Sequence, residues 1–180
     1  MGNKMAILKC SELTYVWDDL SRPDKTNIIT SAVMRHIYIN GNGYKIGLRE
    51  INVNVGENKN NLRIDVLEIN KRKNFLVGYE VKSCIQDFRT DKKWRNYLNL
   101  INQLYFVFDK ATFEAHEEEI LNKIGNDAGV YTYNPNRKWI LLRQGGRAFQ
   151  HDEKTELFYR TLLFNHLLRD ARNALQGYLT

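Results

Sequence analysis

The chain has 180 residues, 43% hydrophobic and 12% aromatic, enough for one domain that buries about two thirds of the surface its unfolded form exposes. Its apolar runs are too short for a membrane span, and two cysteines without paired spacing, Cys10 and Cys84, exclude a disulfide scaffold. The 27 Lys and Arg outnumber 21 Asp and Glu for a net charge of +6, a balance that favours a polyanionic partner.

In chain order, the amino end "MGNKMAILKCSELTYVW" lacks the apolar core and cleavage site of a signal peptide, so a cytoplasmic location is expected. Ser21 and Pro23 open a predicted helix whose apolar positions Ile28, Ile29, Ala32, Val33 and Ile37 share one side, and Gly41-Asn42-Gly43 closes it. Residues 44–53 alternate as a strand. A second and a third strand follow within 62–82, joined by the basic turn 71–74. Residues 83–102 read as helical, with Ser83 as a candidate cap; 103–109 reads as a short buried strand and 111–124 as an amphipathic helix. Two strands, around "GVYTYN" and "KWILLRQ", precede a long helix over 153–176. This order predicts an α/β chain of the α+β kind, a mixed central β-sheet flanked by helices in a single domain over residues 1–180.

The hairpin poses the chemical question, because "LRIDVLEINKRKNFLVGYEVK" sets Arg63, Asp65, Glu80 and Lys82 among hydrophobic positions. A four-residue turn pairs Asn70 with Phe75, which puts Asp65 opposite Glu80 and Arg63 opposite Lys82. Alternation then groups Arg63, Asp65, Leu67 and Ile69 on one face and Ile64 and Val66 on the other. Carboxylates about 5 Å apart at Cβ repel, and in a low-dielectric site one is forced to take a proton unless a cation intervenes. Oxygen ligands from Asp65 and Glu80, with the carbonyl of Val81, water and a substrate phosphate, suit Mg²⁺. Lys82 then lies where it orients or deprotonates a water. The same four charges also make a neutral network with no metal and no chemistry, and spacing alone leaves both readings open.

"RIDV", then 11 residues, then "EVKS" resembles the core signature of the PD-(D/E)XK nuclease superfamily. The following segment is similar to MmcB-like DNA repair proteins through Asp87, Phe88, Asp91, Lys93, Trp94, Tyr97, Tyr105 and Phe106, a resemblance that covers about residues 24 to 145. It implies a restriction-endonuclease-like fold and Mg²⁺- or Mn²⁺-dependent hydrolysis of DNA, with Asp65 and Glu80 as metal ligands and Lys82 as the water-positioning base. Glu50 matches an additional acid that the family places before Arg-x-Asp. Expected phosphate and base contacts come from Arg63, Lys92, Lys93, Trp94 and Arg95, where cations and aromatics are interleaved. His36, His116, His151 and His166 lack zinc-ligand spacing. Two alternatives stand beside the nuclease: a non-catalytic DNA-binding module, and a defence or accessory protein completed by a protein partner. A homodimer is left open.

Overall fold

The computed structural model describes residues 17–54 and 61–150. The amino-terminal extension and the expected helix over 153–176 lie outside these residues. A short 3₁₀ turn over Trp17–Asp19 leads into α1 (Arg22–Ile39). Ser21 caps this helix by accepting the Asp24 amide, as its position before the apolar stripe implied. Three strands follow, β1 (Lys45–Asn54), β2 (Asn61–Asn70) and β3 (Phe75–Lys82). Then come α2 (Ile85–Thr90), α3 (Trp94–Tyr97), β4 (Gln103–Asp109), α4 (Lys110–Ala115), α5 (Glu117–Ile124), β5 (Gly129–Asn134) and β6 (Trp139–Gln144).

The six strands among the described residues form one sheet in sequence order. β1, β2 and β3 are antiparallel neighbours, β3, β4 and β5 run parallel, and β6 returns antiparallel. The parallel pairs need crossovers, and α2–α3 and α4–α5 supply them. This is the predicted mixed sheet, and it has a helical layer on each face.

One layer is α1, whose Ile29, Ala32, Val33 and Ile37 meet Val66, Val77, Tyr79, Val81 and Val107 of the sheet. The opposite layer sets Phe88, Trp94, Phe113, Ile120 and Ile124 of α2–α5 against Leu67, Leu76, Leu104, Phe106 and Phe108. Covering on both faces explains why β3 and β4 are buried almost along their whole length.

Two helical expectations change. The single helix over 83–102 is two short ones, because Asp91 leaves the helix with extended backbone (φ −72°, ψ 108°) and its Oδ1 accepts the Lys93 amide at 3.0 Å. Cys84, not Ser83, stands at the cap position of α2. The helix over 111–124 likewise breaks at His116. Cys84 is a free thiol among the described residues, and its sulfur accepts from Arg22 at 2.9 Å.

Candidate active site

The hairpin register is the predicted one: Asn70 pairs Phe75 and Val66 pairs Tyr79. Beyond Val66 the β2–β3 ladder stops. Asp65 therefore does not face Glu80 as a ladder partner, and Arg63 does not face Lys82. The carboxylate of Asp65 instead accepts the Val81 amide at 2.8 Å, and the Tyr97 hydroxyl donates to the Arg63 carbonyl at 2.8 Å, satisfying main-chain groups the missing ladder would have paired.

The same point inverts the alternation of β1 and β2. Glu50 has left-handed backbone (φ 49°), and the β1–β2 register, continuous on either side, skips Glu50 and Asp65. Leu48 and Ile51, three residues apart, both pack in the α2–α5 layer, as do Ile64 and Leu67. The expected sharing of a face by Ile64 and Val66 is thus corrected: Ile64 belongs to the α2–α5 layer and Val66 to the α1 layer. Because each strand contributes one extra residue, the pairing is kept while the faces exchange. Glu50 and Asp65 occupy the inversion, and both line an open cleft against α1 together with Arg49, Asn52, Arg63 and Asn27.

Glu80 and Lys82 stand on the α2–α5 side. Glu80 is 4% exposed, and its Oε1 has no hydrogen-bond partner. Its other oxygen accepts from the Lys82 ammonium at 3.3 Å, and that ammonium binds Asp91 at 2.7 Å. Burial first, then the nearby Asp65 charge, pushes the Glu80 carboxyl from an ordinary 4.5 up to about 8. Burial also raises Asp65, against the pull of the Val81 amide and the Lys82 charge. For Lys82 burial works to lower the pKa, but Glu80, Asp91 and Asp65 together outweigh it and keep the amine charged.

Oxygen donors suit a hard divalent cation, and the unpartnered Glu80 Oε1, whose carboxyl feels the Asp65 charge, is the observation that fits one. Asp65, Glu80 and the carbonyl of Val81 would hold it. Among the described residues no three or more His, Cys, Asp and Glu gather to hold an ion by themselves. Water and phosphate oxygens would complete the shell, the arrangement Mg²⁺ favours.

Of the expected DNA contacts, Arg63, Lys92, Lys93 and Arg95 are exposed. Trp94 is not: it is 0% exposed, packs edge-on against Phe106, and cannot stack on a base. Arg95 covers its ring at 4.2 Å. Sequence reasoning gives Asp91 no role and passes over Lys123, whose ammonium binds the carbonyls of Phe88, Arg89 and Asp91 and so fixes the segment carrying Asp91. The usable signal is Asp91 two residues before Lys93, a spacing that favours a side-chain turn and a helix break.

The residues just described lie within a match to a family model, MmcB-like DNA repair protein, over residues 20–125. The chain belongs to the MmcB-like family. No curated protein matches it. The MmcB-like chain is similar in structure to the SPO1766 protein of unknown function from Silicibacter pomeroyi. The TM-score is 0.65 at 17% identity, over 89% of this chain and 95% of that one. At that identity the likeness speaks for the shared fold alone. No helix among the described residues of the MmcB-like chain is long and apolar enough to cross a membrane.

Proposed function

We propose that this protein is a divalent-cation-dependent nuclease that hydrolyses phosphodiester bonds in DNA, in keeping with the PD-(D/E)XK signature of β2 and β3 and with the DNA repair description of its family. One observation carries the reading: a buried glutamate with an unpartnered oxygen, hydrogen-bonded through its other oxygen to a charged lysine and within reach of the Asp65 charge. Such a group is costly unless something binds it.

A cation bound by Asp65 and Glu80 would supply Lewis acidity and an activated water. The chain's own residues do the rest. Lys82, kept protonated, donates toward the attacking water or a phosphate oxygen; of the two roles open to it, orienting fits better than removing a proton. Asp91 and, behind it, Lys123 hold the Lys82 ammonium in place. Arg63, Lys92, Lys93 and Arg95 offer charge to the phosphates.

Cleavage of linear, nicked and branched DNA with Mg²⁺ or Mn²⁺ tests this. Asp65→Ala and Glu80→Ala are expected to lose activity at least ~100-fold, and Lys82→Ala about 100-fold, the scale of a lost electrostatic or acid–base group. Equal cleavage by wild type and variants would sink the proposal. The ion pair of Lys82 with Asp91 favours a second reading, a non-catalytic DNA-binding module in which these charges neutralise one another. It expects salt-dependent binding, no hydrolysis, and no effect of divalent ions on melting.

A further inference from the structure

The cleft between α1 and the inverted segments of β1 and β2 encloses about 490 Å³. That is within the roughly 300–1,000 Å³ of sites that enclose one small molecule. The volume is on the scale of one nucleotide rather than of a base pair with both its strands. Every residue that lines it is polar or charged. Arg49 and Arg63 bring guanidiniums, Asn27 and Asn52 bring amides that both donate and accept, and Glu50 and Asp65 bring two carboxylates that leave the arginines as its only donors of positive charge. Arg49 gives one nitrogen to the Ser31 hydroxyl at 2.8 Å, which orients its plane and leaves other N–H groups for a ligand.

The two arginines are built for a phosphate. The amides are built for a base edge, since an asparagine side chain matches the paired donor and acceptor of adenine. No apolar or aromatic residue lines it, which argues against a lipid or a stacked planar ligand.

We infer that this cleft receives a single unpaired nucleotide of a DNA strand, its phosphate on Arg49 and Arg63 and its base edge on Asn27 and Asn52. The inference rests on the nuclease reading and names its substrate, frayed or single-stranded DNA in preference to intact duplex. Pulling a base from a duplex costs a few kcal/mol of stacking and pairing, a cost an already unpaired base does not carry.

The test is binding in Ca²⁺, without turnover, of two labelled hairpin duplexes, one blunt and one with a short single-stranded tail. Wild type is expected to bind the tailed duplex at least ~10-fold more tightly. Asn27→Trp, from an exposed position on α1, fills the cleft and should bring the tailed affinity down to the blunt value; Asn52→Leu serves if the first variant does not fold. Equal affinity of wild type for both duplexes, or a preference that survives in a folded Asn27→Trp or Asn52→Leu protein, overturns the inference. Tail preference without cleavage under any divalent ion would leave the cleft standing and sink the nuclease. Cleavage of closed circular duplex as fast as of tailed DNA would do the reverse.

Discussion

Glu80 couples the candidate chemistry to stability. Its carboxyl titrates at about 8 in the folded chain against an ordinary 4.5, so between those values the folded protein keeps a proton that the unfolded chain has released. Without metal, stability therefore falls as pH rises from 4.5 to about 8. Glu80→Gln stays neutral, so in EDTA its Tm should gain on that of wild type across this interval, with groups common to both proteins cancelling in the difference. A constant gap would show that Glu80 is ionised throughout.

At this scale the sequence reveals the candidate site better than the residues that hold it. Asp65, Glu80 and Lys82 are legible because acids and a lysine at apolar strand positions break a pattern that burial otherwise enforces. The groups that hold them are not, since Asp91 reaches Lys82 only after the chain leaves the sheet and returns. The basic neighbours of Trp94 suggest DNA, although a large aromatic between exposed cations can equally be the one residue of its turn that points inward, as it is here.

Among the elements, the β2–β3 hairpin is readable from its turn as far as Val66 and Tyr79, because the basic turn fixes the register there. The inversion at Glu50 and Asp65 leaves no trace in the pattern: exchanging faces needs one residue in an unusual backbone state, and composition does not announce it. β3 contains a second constraint of this kind. A Cβ placed on Gly78 would stand 2.5 Å from Ile101 Cδ1 and 3.3 Å from Leu104 Cδ1. The connection from α3 to β4 therefore sits down on the sheet at this glycine. Gly78→Val should destabilise by ~1–3 kcal/mol, the usual cost of overpacking, read as a lower urea midpoint with an unchanged slope. A neutral result would mean that the 98–102 segment shifts freely.

Across the whole molecule, charge sets the expectation for DNA. The net charge of +6 is modest, so affinity should depend on where cations stand rather than on how many there are. Replacing Lys92 and Lys93, exposed between α2 and α3, by alanine should reduce the slope of log affinity against log salt by about 0.9 for each phosphate that is no longer neutralised. An unaltered slope would place the DNA path elsewhere. The layered architecture is legible as a whole because the apolar periods of its strands and helices are consistent.

The strand order adds a consequence of another sort. Since each described strand after β1 hydrogen-bonds to the one made just before it, none of them has to be threaded between two others already in place. The sheet can grow by accretion, each addition closing only a short stretch of chain, which keeps the entropic barrier low and spares the nascent protein a long wait with open edges.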